Sequence, residues 1–258
     1  MPAPPTVPSP VASKPEPPAI SSAEPSAMLR DVLAGLSASP RTLPPKYLYD
    51  AEGSRLFDEI TALDAYYPTR TEQGILEAHL DEIAAEIGPG AVLIEYGSGS
   101  STKTRLLLDR LAATLAAYVP LDISEAHLLQ TAEALRADYP GLRIEPVAAD
   151  YTSAYTIPDD PERRRKRVVF FPGSTIGNFE PDEAQAFLRQ IVAVVGPGGG
   201  LLLGVDRKKD PALLDRAYDD EEGVTAAFNK NLLTRLNREL GGDFDLDAWD
   251  HRAFYDPE

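Results

Sequence analysis

The chain has 258 residues, 43% of them hydrophobic, and a formal net charge of -16. That length supports one large α/β core or a core with a small cap, while so strong an acidic excess excludes a nucleic-acid surface, because phosphate binding needs a basic one. There is no Cys, which removes disulfides, thiol catalysis and cysteine zinc sites, and His79, His127 and His251 show no ligand spacing, so no metal is expected.

Residues 1–25 carry prolines at 2, 4, 5, 8, 10, 15, 17, 18 and 25 and read as a disordered tail. They lack the basic and apolar regions of a signal peptide. No apolar run reaches the roughly 18 residues of a membrane helix. The cytoplasm is therefore the default location, with no membrane partner. Met28 to Leu36 has helical spacing, Leu43 to Asp50 is irregular and aromatic, and Gly53 to Leu63 places Leu56, Phe57 and Ile60 on one helical face. In Tyr66-Tyr67-Pro68-Thr69-Arg70-Thr71-Glu72, the proline favours an extended residue before it, and Thr69 is expected to cap a helix running to about Ile87.

From residue 91 the pattern alternates. Strands are expected at 91–96, 117–121, 142–148, 167–171 and 200–205, with helices at 101–114, 124–138 and 181–195. Five strands separated by helices or long connections imply an α/β fold with a doubly wound parallel sheet. The loop 151–166 is rich in Pro and charge, and its run Arg163 to Arg167 reads as solvated. Helices follow at about 211–219 and 221–240, and then a polar, aromatic stretch from Asp243.

Ligands of open α/β sheets bind beyond the C-terminal strand ends. Those ends carry Gly97-Ser98-Gly99, Asp122 before Ile123-Ser124, Asp150-Tyr151, and Gly173-Ser174-Thr175-Ile176-Gly177-Asn178. The glycine turn, leading into a helix N-terminus, predicts a nucleotide-like cofactor. Asp122 suits a ribose diol, because a carboxylate accepts two hydroxyl donors. Asp150 suits an exocyclic adenine amine, with Tyr151 packed beside it. The third glycine of a dinucleotide turn is replaced by Thr102, which weighs against a nicotinamide oxidoreductase. Plainer roles stay open. Asp122 could be a helix-capping acid, Asp150 a loop acid, Lys103 a solvated helix residue, Asn178 a turn residue, and the tyrosines packing residues.

Several runs together resemble the histidine-specific methyltransferase family of ergothioneine biosynthesis: LPPK at 43–46, YYPTRTE at 66–72, GSG at 97–99, GSTIGN at 173–178, AYDD at 217–220 and GVTAAFN at 223–229. The resemblance begins near residue 28 and implies a class I, Rossmann-like methyltransferase that uses S-adenosylmethionine to trimethylate the α-amine of L-histidine. Gly97, Lys103, Asp122, Asp150 and Tyr151 would hold the cofactor. Tyr49, Tyr66, Gly173, Asn178 and Tyr218 would line the amino-acid pocket, with Asn178, Tyr66 and Tyr218 nearest the chemistry. The implied organisation is a tail at 1–25, a helical substrate-side region at 26–88, a core at 89–206 and the start of a substrate-binding subdomain at 207–258. The family works as a monomer on a small-molecule substrate. It also continues past residue 258 with two further strands and a Glu and a Ser that grip the imidazole, so the expectation is a C-terminally truncated chain, poorly active alone. A methyltransferase for a tryptophan derivative and a non-catalytic cofactor-binding remnant are the alternatives.

Overall fold

The computed structural model describes residues 26–99, 102–153, 155–158 and 165–256. The expected tail at 1–25 and the start of the basic run, Arg163 and Arg164, lie outside these. Met1–Leu43 forms one unit and Pro44–Glu258 another. In the first, helix α1 (Ala27–Ser37) is capped by Ser26, whose side chain accepts the Leu29 N–H at 3.2 Å. In the second, α2 (Ala51–Ala62), α3 (Tyr67–Ala78) and α4 (Leu80–Ile87) precede the sheet. Then β1 (Val92–Tyr96), α5 (Thr102–Leu111), β2 (Ala117–Asp122), α6 (Glu125–Asp138), β3 (Val147–Ala148), β4 (Arg167–Phe171), α7 (Pro181–Val195) and β5 (Gly200–Leu203) alternate. Helices α8 (Pro211–Tyr218) and α9 (Val224–Leu240) follow.

The described strands form one parallel sheet of order β3-β2-β1-β4-β5. Ile94 lies between Val119 and Val169 in register. Every residue of β1 and β4 is buried, as expected where helices cover both faces. Alternation along the strands sorts their side chains into two layers. Leu93, Tyr118 and Phe170 pack with Ala84, Ile87, Leu107 and Leu135. Val92, Ile94, Tyr96, Val169 and Phe171 pack with Phe187 and Ile191 of α7. Each such large apolar side chain contributes roughly 1.5–3 kcal/mol relative to exposure. A third cluster joins α2, α8 and α9 through Leu56, Ile60, Tyr66, Ala217 and Phe228. No helix among the described residues is long and apolar enough to cross a membrane.

Several expected boundaries move for physical reasons. Thr69 lies inside α3, which starts at Tyr67 with Tyr66 at its N-cap and no side-chain cap bond. Pro68 near the first position fixes φ and starts the helix early. The single helix to Ile87 is two, divided at His79, and α4 turns to bury Ala84 and Ile87. The third strand shrinks from 142–148 to Val147–Ala148, plus one bridge from Ile144 to Tyr118. Pro146 has no N–H and interrupts the ladder between them. The fifth strand ends at Leu203. Arg167 is not solvated: it opens β4, is buried, and donates to the Val194 carbonyl at 3.2 Å.

Candidate active site

Strands β1 and β4 are neighbours although β2 and β3 intervene in sequence, so the crevice at their C-terminal ends is where such sheets hold ligands. Gly97 and Gly99 take φ values of +68° and +45°, which side chains disfavour. A Cβ on Gly97 would touch only the Tyr151 ring edge, at 4.0 Å, so the backbone there stays open to a ligand. Asp122 holds the turn from the next strand: its carboxylate accepts the Ser124 N–H at 2.9 Å and the Gly99 N–H at 3.3 Å. The carboxylate therefore does part of the local capping, since the Ser124 side chain makes no cap bond.

Asp150 accepts from the Thr152 N–H at 2.9 Å and hydroxyl at 2.5 Å, and from Lys46 at 3.2 Å. Burial raises its pKa, but the bonds from Thr152 and Lys46 lower it more, and the net shift is downward. The neighbouring Tyr151 ring stacks on Tyr96 with centroids 5.5 Å apart and planes 7° apart. Burial, with nearby Tyr49 and Asp122, pushes the Tyr151 hydroxyl well up, so it stays protonated. An open glycine cradle, two acceptors and a flat aromatic face fit a nucleoside with a ribose diol and an amino base.

Gly173, at φ +77°, begins the turn after β4. Its N–H donates to both carboxylate oxygens of Glu72 at 2.9 Å, and Lys103 donates to the same carboxylate at 2.5 Å. Asn178 ends the short 3-10 helix Thr175–Asn178. It is exposed, and among the described residues no hydrogen bond ties its side chain to the tyrosines.

Three of the expected pocket residues meet. Tyr66 and Tyr218 stand edge to face at 5.8 Å and 85°. Tyr49 packs on Phe57 and Phe228, each at 5.5 Å. Burial, with Asp122 and Tyr218 nearby, pushes the Tyr49 hydroxyl up to about 12, and burial raises Tyr66 further. The backbone beside each is pinned. Asp50 caps α2 through the Gly53 N–H at 2.8 Å and accepts from Asn231 and Arg238 at 2.8 and 2.7 Å. Arg70 donates to the carbonyls of Leu63 and Asp64 at 2.7 Å, fixing the turn before Tyr66. Asp220 accepts the Val224 and Thr225 N–H groups at 2.8 Å, fixing the exit from Tyr218.

Four polar residues here escape a reading by motif. Glu72 stands in YYPTRTE without an evident role. Lys46 stands in LPPK, 104 residues from its partner Asp150. Glu95, within β1, is fully enclosed and accepts from the hydroxyls of Thr104 and Tyr118. Burial pushes its carboxyl up to about 7. Asp206 lies three residues past β5, where Asp122 ends β2, so the strand-end rule extended by one strand would have found it. It bonds Tyr67 and Lys209, and Lys209 lies 4.3 Å from the Tyr67 ring centroid.

Residues 28–258 match the model of a family described as histidine-specific, S-adenosylmethionine-dependent methyltransferase. The chain is 49% identical over 229 residues to the histidine N-alpha-methyltransferase of Mycolicibacterium smegmatis, covering 88% of this chain and 70% of that one. It is 35% identical over 235 residues to ergothioneine biosynthesis protein 1 of Neurospora crassa, covering 84% of this chain and 27% of that protein. The 4-dimethylallyltryptophan N-methyltransferase of Claviceps purpurea is 31% identical over 207 residues, covering 76% of this chain and 60% of its own. A parallel sheet with a glycine turn and acids at its strand ends, a tyrosine cluster and a match over residues 28–258 agree: the protein belongs to the histidine-specific, S-adenosylmethionine-dependent methyltransferase family.

Proposed function

We propose that this chain methylates the α-amine of L-histidine, up to the trimethylated product, with S-adenosylmethionine as donor. The observation that carries the reading is the match of residues 28–258 to the histidine-specific, S-adenosylmethionine-dependent family, on a parallel sheet whose strand ends carry Asp122 and Asp150. When bound, S-adenosylmethionine supplies a methyl group on a sulfonium, open to in-line displacement by an amine. Asp122 would accept from the ribose hydroxyls, Asp150 from the adenine amine, and Tyr151 would pack on the base. Lys103 would meet the carboxylate end, and Gly97 would admit the backbone closely.

On the substrate side, Tyr66 and Tyr218 have raised pKa values, chiefly through burial, so they stay neutral near pH 7. They orient the amine without acting as bases, so the ammonium proton passes to water before each transfer, and the C–S bond electrons leave with S-adenosylhomocysteine as the C–N bond forms. Tyr49 and Asn178 would line the same amino-acid pocket, with Asn178 on the exit from β4. Alignment and exclusion of water are the work asked of the chain, which needs no covalent intermediate. The test is a mass-resolved assay of the purified chain with S-adenosylmethionine, offering L-histidine and L-tryptophan in parallel. Mono-, di- and trimethylated histidine are expected. Methylated tryptophan in preference to histidine would overturn the substrate assignment.

A further inference from the structure

We infer that Glu72 is a positioning residue that aims Lys103, and with it the turn after β4, at the carboxylate end of the methyl donor. Glu72 sits on α3, outside the strand ends that carry the other cofactor-side residues, yet its carboxylate joins three elements. It accepts from Lys103 on α5 at 2.5 Å and from the Gly173 N–H after β4 at 2.9 Å. It also lies against Gly204 after β5, where an added Cβ would fall 1.7 Å from its Oε1. Only glycine leaves the carboxylate room at that position.

Exposure separates this pair from the ordinary ion pairs of the surface. The Lys103 and Glu72 side chains are 19% and 16% exposed, against 52% and 49% for Arg55 and Glu52. Surface pairs contribute little because water screens them, whereas a half-enclosed pair keeps more of its interaction and fixes geometry. An ammonium has three donors, of which the Glu72 bond uses one, so the same group can meet a ligand carboxylate. Without Glu72 the lysine stem is free to rotate, and the Gly173 N–H loses its acceptor at the strand exit that leads to Asn178. Glu72 also acts electrostatically on Tyr66, so it borders both half-sites.

This inference rests on the cofactor reading above, and its test separates the two. Wild type, E72Q, K103M and the double variant are titrated with S-adenosylhomocysteine by calorimetry, with thermal unfolding and the split of KM from kcat measured alongside. E72Q is expected to weaken binding about five- to tenfold, less than the loss of a charged hydrogen bond to the ligand itself because the lysine is loosened and not removed, and to raise KM for S-adenosylmethionine. In the K103M background the same substitution should lose most of its effect, leaving only the part carried by the Gly173 N–H. G204A, whose methyl displaces the carboxylate without removing it, should repeat the pattern and serves where E72Q fails to fold. Unchanged affinity in E72Q, or equal losses with and without Lys103, would overturn the positioning role. A wild type that binds no S-adenosylhomocysteine would overturn the cofactor reading itself and this inference with it.

Discussion

Gly97 and Asp150 follow strands of one sheet and Asp122 ends another; the Ser124 and Thr152 N–H groups, each two residues on, hold the two carboxylates, and Gly99 adds an N–H to Asp122 from the turn after β1. Tyr49 and Tyr66 flank helices near the start of the sheet-bearing unit, Tyr218 ends α8 much later in the chain, and ring packing places them. The proposed cofactor side is therefore held mainly by polar bonds, short-range at the turns and longer-range through Lys46, while the proposed amino-acid side is held by ring packing. A change on the first should alter affinity with little loss of fold, and a change on the second should threaten the fold first. Glu72 bridges the two, reaching Gly173 across 101 residues of sequence.

The largest expected effect lies on the packed side. Tyr66 is 7% exposed and belongs to the α2–α8–α9 cluster, so Tyr66→Ala should cost about 3–5 kcal/mol of stability in denaturant unfolding. Tyr66→Phe keeps the ring and should lose far less. An equal loss for the two would show that the hydroxyl, not packing, holds that side.

Next comes Glu95, buried within β1. Folding raises its carboxyl from 4.5 to about 7, so the folded chain keeps a proton that the unfolded chain releases. Its contribution is fully present below about pH 4.5 and fades as pH rises to about 7, by up to about 3 kcal/mol. Asp50, Asp150, Asp206 and Asp220 have lowered values and act with the opposite sign, losing stability only as pH falls below their usual 3.8. Subtracting the pH–stability curve of Glu95→Gln from that of wild type should leave a downward slope between pH 4.5 and 7. A flat difference would mean that the hydroxyls of Thr104 and Tyr118 keep the carboxylate charged despite its burial.

Asp122→Ala tests the proposed cofactor side. Titration with S-adenosylhomocysteine should show a loss of about 1.5–3 kcal/mol, the range for hydrogen bonds to a charged group. Unfolding stability should change less than for Tyr66→Ala. Unaltered affinity would reduce Asp122 to its bonds with Ser124 and Gly99.

Asn178→Ala should have the smallest effect on stability, within about 0.5 kcal/mol, because the side chain is exposed. Histidine affinity should fall while S-adenosylhomocysteine affinity holds. Parallel loss of both would move Asn178 to the cofactor side.

Local pattern was enough to place the five parallel strands, the glycine turn and the acids at the ends of β2 and β3, because alternation and turn chemistry act over a few residues. It also marked YYPTRTE as one unit, whose parts have separable physical roles: Pro68 starts α3, Arg70 ties down the preceding turn, and Glu72 reaches the strand-four exit. Pattern could not show that Pro146 cuts the third strand short, since that depends on which partner carbonyl waits for a missing N–H. Nor could it pair Lys46 with Asp150 or Glu72 with Lys103, or enclose Glu95 beneath two hydroxyls. Those pairings join residues on different elements. Their strength comes from how much water the assembled fold removes around each charge, which only the tertiary structure decides.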